Sequence, residues 1–129
     1  STRILGLAAL ILCMVRARGE GCSGESDGCT IPSGLAAHVG SDNLDLFTPA
    51  CERHDVCFDC GADYGKTEMT CNIDLKADIK ALCSDDDDDC QKAAKLILKA
   101  VVHYSDEQFH DVGETESYCS DAWVATCLA

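Results

Sequence analysis

Eleven cysteines stand in 129 residues, and ten of them, at positions 22, 29, 51, 57, 60, 71, 83, 90, 119 and 127, follow an apolar start that holds the eleventh, Cys13. An even set of this density in a short chain reads as a disulfide framework of up to five bridges, whose pairing the sequence alone does not fix. A core of this size is modest, so bridges worth about 2–4 kcal/mol each must hold the fold alongside apolar burial. Such a chain belongs in an oxidising compartment.

The start of the chain points the same way. Arg3 precedes the apolar run from Ile4 to Val15, and small residues follow around Ala17 and Gly19. This pattern predicts a signal peptide over 1–19, cut after Ala17 or Gly19, with residues 20–129 forming one domain. The run is shorter than the roughly 20 apolar residues that span a bilayer. The expected destination is secreted and extracellular.

Lys and Arg number 10 against 23 Asp and Glu, a formal net charge of −13. Without Arg3, Arg16 and Arg18 the balance becomes 7 against 23, or −16. A chain this acidic lacks the basic face that nucleic-acid binding requires.

Residues 20–46 are rich in Gly, Ser, Asp and Asn and predict an irregular segment. Thr48 followed by Pro49 predicts a helix start, with Thr48 as cap and Pro49 at the first helical position. That helix should run through Cys51, His54, Asp55 and Phe58 and stop near Gly61 or Gly65. A second helix is written in Cys71, Asp74, Leu75, Asp78, Ile79 and Leu82, whose offsets form one face, with Asn72, Lys76 and Lys80 elsewhere. Two carboxylates on a buried stripe need partners. A third helix should span 90–104 with Ala94, Ile97, Leu98 and Val101 as its stripe. An acidic tail around Trp123 follows. The fold class is therefore all-α and disulfide-rich, with two to three main helices.

The segment that carries chemistry is Cys51-Glu52-Arg53-His54-Asp55-Val56-Cys57-Phe58. Adjacent His and Asp on a helix point about 100° apart, so they serve neighbouring tasks rather than bond one another. An isolated His-Asp pair is usually plain surface; cysteines on both sides fix this one in place. The motif, with the aromatic after its last cysteine, resembles the active-site helix of secreted phospholipases A2. Phe47-Thr48-Pro49-Ala50-Cys51 is closer to the bacterial and fungal branch, and Asp27-Gly28-Cys29 is similar to the start of that branch's calcium loop. Cys71-x-x-Asp74-x-x-Ala77 resembles the second long helix of the animal enzymes. As a whole the chain is most similar to the conodipines, phospholipases of cone-snail venom.

The resemblance implies a small phospholipase A2-like fold with an irregular calcium loop, and calcium-dependent hydrolysis of the sn-2 ester of glycerophospholipids. It makes His54 the general base and Asp74 the acceptor of its other ring N–H, with Asp78, one turn on, as the rival. It makes Asp55 and Asp27, with backbone carbonyls near Gly28, the ligands of Ca2+, hard oxygens for a hard cation. It implies a Cys29–Cys51 bridge. Where the family often has tyrosine this chain has Phe58, and Tyr64 is the candidate to supply the missing hydroxyl.

The implied partner is a phospholipid membrane or micelle surface, met peripherally. No adjacent basic pair follows the signal, so a monomer is expected, with a disulfide-linked two-chain form if the chain is processed. The charge predicts repulsion from anionic bilayers, hence hydrolysis of zwitterionic vesicles at least as good. Surface contact then falls to Leu35, Leu44, Leu46 and Phe47, with calcium bridging between carboxylates and phosphates. A steep preference for anionic lipid would instead require the fold to gather lysines such as Lys92, Lys95 and Lys99 on the binding face. The alternative function is a non-catalytic secreted module that binds a receptor or channel on the same frame.

Three signals weigh less. The run Asp85–Asp89 lacks the spacing of a calcium-binding loop and suits a solvated helix start. Cys57-x-x-Cys60 with His103 and His110 could hold zinc, but disulfides are favoured. His38, His103 and His110 have no acidic partner at a diagnostic spacing.

Overall fold

The computed structural model describes residue 22, residues 28–29, 31–105 and 108–129. Residues 1–19, where a signal peptide is expected, and Asp27 lie outside the described residues. Among the described residues five helices follow one another: α1 Ser33–Val39, α2 Ser41–Cys60, α3 Glu68–Leu82, α4 Asp88–Ser105 and α5 Ala122–Leu128. Short 3-10 turns lie at Gly61–Tyr64 and Ser117–Ser120, and there is no strand among the described residues. The all-α, disulfide-rich class holds.

Helix α2 begins well before Thr48. Thr48 does not cap; its hydroxyl donates to the Leu44 carbonyl at 2.8 Å, one turn back inside the helix. Pro49 sits within the helix, where it removes only the bond to the carbonyl of Asp45, a residue on the exposed face. A carbonyl on the exposed face is open to solvent bonding, so the proline is tolerated instead of starting the helix. The residues read as irregular before it supply α1 and the first turns of α2. The two helices are separated by Gly40, whose φ of 88° needs a residue without a Cβ.

The predicted stop is observed. Helix α2 ends at Cys60, the 3-10 turn follows, and Gly65 closes it in the left-handed region at φ 77°. Helix α3 is capped by Thr67, whose side chain accepts from the Thr70 N–H at 3.1 Å. Its buried face is Cys71, Leu75, Asp78 and Ile79. The Asp85–Asp89 run is exposed, and Asp87 accepts from the Cys90 N–H at 3.1 Å ahead of α4. These carboxylates favour the positive end of the helix dipole.

Helix α2 is the spine of two apolar clusters. Its first half buries Phe47, Ala50 and Cys51 against Leu75 and Ile79 of α3 and Ile97 and Val101 of α4. Its second half buries Val56, Cys57, Phe58 and Cys60 against Val124, Cys127 and Leu128 of the C-terminal helix. Phe47, expected at a membrane-facing mouth, is wholly buried in the first cluster.

Five bridges stitch these parts: Cys22–Cys127, Cys29–Cys51, Cys57–Cys71, Cys60–Cys119 and Cys83–Cys90. The Cys29–Cys51 pair is the one that the resemblance implied. Cys57 and Cys60 are both consumed, which removes the zinc reading. Four of the bridges land on α2 or tie the segments beside it, and that helix carries the His-Asp pair.

Candidate active site

His54 lies in the third quarter of α2, one turn before Cys57. Because Cys57 is bridged to Cys71 on α3, the α3 residue beside that bridge faces the histidine. That residue is Asn72: its Oδ1 lies 2.7 Å from His54 Nε2. With the amide oxygen accepting, Nε2 carries the proton and the Nδ1 lone pair is left for a substrate proton. Phe58 covers the ring at a centroid distance of 4.3 Å, and Phe109 meets Phe58 edge-on. His54 is 2 % exposed. This burial pushes the imidazole below its ordinary value of 6.5, and the Asn72 bond opposes the shift.

The structure does not form the expected His54–Asp74 bond. Asp74 is about 200° around the helix from Asn72, and its Oδ2 accepts from Lys66 Nζ at 2.8 Å and lies 3.5 Å from Arg53 Nη2. Its rival Asp78 is also engaged elsewhere, with Oδ2 2.9 Å from Arg53 Nη1. Arg53 is thus the hub of both carboxylates. It is 4 % exposed, and its Nε donates to the Cys127 carbonyl at 3.1 Å. The buried Asp78 found the partner that apolar surroundings demand, and the half-buried Asp74 leans on the same group, but that partner is the arginine next to the histidine.

The expected calcium ligands are only partly in view. Cys51 holds Cys29 by the disulfide, and Gly28 lies against Thr48, whose Cγ2 would be 3.5 Å from a Cβ at that position. Thr48, Cys51 and Asp55 share one face of α2 at spacings of three and four, so Gly28 and Asp55 lie along the same side, about 10 Å apart along the axis. Gly28 has φ +72°, a backbone suited to turning carbonyls toward an ion. Asp55 is half-buried. A carboxylate and peptide oxygens are the hard donors a divalent cation takes. Oxygens bound to one Ca2+ lie within about 5 Å of one another, however, so Gly28 and Asp55 as placed are too far apart to share an ion.

Two further side chains differ from expectation. Tyr64 does not replace the hydroxyl missing at Phe58; its hydroxyl donates to the Cys119 carbonyl at 2.8 Å. His110 does have acidic neighbours, Asp59 at 3.9 Å and Glu116 at 3.7 Å, on opposite ring nitrogens. The same Nδ1 donates to the Glu114 carbonyl at 3.1 Å, and Asp59 accepts from the Tyr118 hydroxyl at 2.6 Å. Among the described residues Asp59, His110 and Glu116 are the trio close enough to share a cation. Their existing bonds make them a brace of the tail against α2.

Conodipine-P1 and Conodipine-P2 of Conus purpurascens are each 33 % identical to this chain over 64 residues, 50 % of this chain and 33 % of their own length. The Conodipine-M alpha chain of Conus magus is 32 % identical over 71 residues, 54 % of this chain and 84 % of that relative. The chain belongs to the conodipine family. It spans about a third of the length of the Conus purpurascens conodipines it matches. No family model and no solved structure matches it.

Sequence reasoning missed Asn72 as the partner of His54 in this conodipine-family chain. The signal was present in the cysteines: once Cys57 and Cys71 are paired, the residue beside Cys71 is the one beside His54. A test follows from electrostatics. In Asn72→Asp a carboxylate faces the imidazole, which raises its pKa by about 1–3 units. If His54 acts as a base, the acidic limb of kcat/KM, expected below 6.5 in the native chain, moves to higher pH by that amount. An unmoved limb would separate Asn72 from the catalytic histidine.

Proposed function

We propose that this chain is a secreted, calcium-dependent phospholipase A2 that cuts the sn-2 ester of glycerophospholipids, acting as a venom component. The observation that carries the reading is a buried histidine held at Nε2 by Asn72 and neighboured on the same helix by Asp55, with burial pushing its pKa down and so favouring the neutral ring. A neutral imidazole near its working pH is an effective general base.

The chemistry assigned to the residues is simple. His54 Nδ1 takes a proton from water as the water oxygen bonds to the ester carbonyl carbon. The tetrahedral intermediate then breaks the bond to the glycerol oxygen, which receives the proton from the imidazolium. Fatty acid and lysophospholipid leave. Asn72 holds the ring and its tautomer; as an amide it adds no countercharge for the imidazolium. Asp74 acts one residue removed, by holding Lys66 and Arg53 at the flank of the site. The calcium reading assigns Asp55, Asp27 and the Gly28 carbonyl to Ca2+, which would polarise the ester carbonyl and stabilise the oxyanion. With Gly28 about 10 Å along α2 from Asp55, the Gly28 segment would have to shift toward Asp55 to bring both onto one ion.

Fatty-acid release from phosphatidylcholine mixed micelles, with and without a chelator, tests this reading. Activity is expected only with calcium. Asp55→Asn should lower calcium affinity by about a power of ten or more and lower activity with it, because ligand charge sets affinity at such sites. Titration calorimetry that shows unchanged affinity in Asp55→Asn would place the ion elsewhere. One observation favours a second reading, a non-catalytic binding module: the partner of His54 is an amide and not a carboxylate. Absence of fatty-acid release from folded, calcium-loaded protein would decide for it.

A further inference from the structure

The lysines of this acidic chain are not scattered. Four of its ten basic residues, Lys76 on α3 and Lys92, Lys95 and Lys99 on α4, line one groove of about 1130 Å3 between those helices. All four are exposed. None makes an ion pair among the described residues. Glu68 is the acidic side chain on the same lining. The spacing explains the arrangement: Lys92, Lys95 and Lys99 recur at three and four residues on α4, while Met69, Ile73 and Lys76 do so on α3.

Between the charges the groove is apolar. Met69 is 72 % exposed, Ile73 59 % and Leu96 37 %. Leaving such side chains in water is unfavourable unless something covers them. Lysine stems extend that apolar surface while their ammonium groups stay at the rim. Asn72 lies on the same lining and holds His54, so the groove runs up to the histidine.

We propose that this groove is the membrane-docking face and that its occupant is an anionic phospholipid surface. The choice of a phospholipid rests on the proposed function; the choice of an anionic one rests on the lysines. An apolar floor with a cationic rim complements acyl chains beneath negative headgroups. The net charge of −13 does not decide the matter at contact. Charges beyond about 8–10 Å are screened at physiological salt, so the face that touches the lipid sets the sign. The expectation from net charge, that zwitterionic vesicles are hydrolysed at least as well as anionic ones, and this proposal call for opposite outcomes when the two kinds of vesicle are compared.

Binding can be measured apart from catalysis. The full chain with its disulfides intact is sedimented, in excess chelator, with vesicles of phosphatidylcholine or of equal parts phosphatidylcholine and phosphatidylglycerol. Binding is expected to the mixed vesicles at low salt and to be largely lost in ~1 M salt. Lys92→Gln/Lys95→Gln/Lys99→Gln should weaken it by about 10²-fold, since each lysine at an anionic surface contributes about five-fold. Lys76→Gln, on the other helix, should weaken it by about five-fold. Near-UV circular dichroism shows that each variant keeps its fold. Equal binding to both vesicle types, undiminished binding by the variants, or a dimer in ultracentrifugation without vesicle binding would overturn the proposal. If vesicles are bound as described but no ester is cleaved with calcium, the docking face stands and the phospholipase reading falls. If esters are cleaved without preference for anionic vesicles, the reverse holds.

Discussion

His54→Gln should lower hydrolysis by about 10²- to 10⁴-fold, the usual worth of a positioned general base, while leaving the helical spectrum and all disulfides in place. Glutamine keeps a polar group that can face Asn72, so the substitution tests proton transfer and not merely packing. The same residue should leave a mark on stability. Burial lowers the His54 pKa from 6.5 in the folded protein. As pH falls through 6.5 the unfolded chain therefore takes up a proton that the folded protein does not. Stability contributed by the neutral form is fully present above 6.5, declines as pH falls toward the lower folded value, and levels off below it. In His54→Gln that part of the profile should flatten. Urea midpoints measured over a pH series in chelator would show it. Retention of native activity in the folded variant would remove His54 from the chemistry, whatever the stability curve does.

The largest effect on folding should come from the neighbouring residue. Arg53→Ala is expected to cost about 3–5 kcal/mol, because it leaves the buried Asp78 carboxylate without its cation. It also strips the Cys127 carbonyl of a buried donor and loosens the C-terminal helix from α2. Since domains of this size are stable by roughly 5–15 kcal/mol, the variant should stand close to unfolding under denaturant even with its bridges closed. Replacing both partners, as in Arg53→Met/Asp78→Leu, should recover much of the loss, since apolar side chains carry no desolvation cost. Denaturation midpoints for the two variants decide this. An Arg53→Ala loss below about 1 kcal/mol would mean that water reaches the pair and screens it.

The arginine illustrates why charge patterns on one helix mislead. Asp74 and Asp78 stand on the face of α3 that the apolar period selects, and their need for a partner was legible. Which partner they take was not, because Arg53 and His54 are adjacent in sequence and both point from α2 toward α3. The Cys57–Cys71 bridge fixes the rotation of the two helices so that Arg53 meets the aspartates and His54 meets Asn72.

The sequence by itself determined the helical class, the disulfide framework, the end of α2 at the Gly61–Gly65 turn and the buried face of α3. These follow from short-range rules: cysteine parity, the 3.6-residue period, and glycines that end helices. It also singled out the His-Asp helix, since that motif is contiguous. The start of α2 was beyond it, because Thr48 and Pro49 have the same local preferences whether a helix begins there or continues from Ser41, and the packing of Phe47 and Ala50 decides between them. Only the tertiary structure assigned Asn72 to His54, because that contact depends on how two helices are rotated about a bridge. Only it gathered four lysines onto one groove of an acidic protein. Net charge is a sum over the chain, whereas a surface is met by whichever side chains the fold places within a screening length of each other.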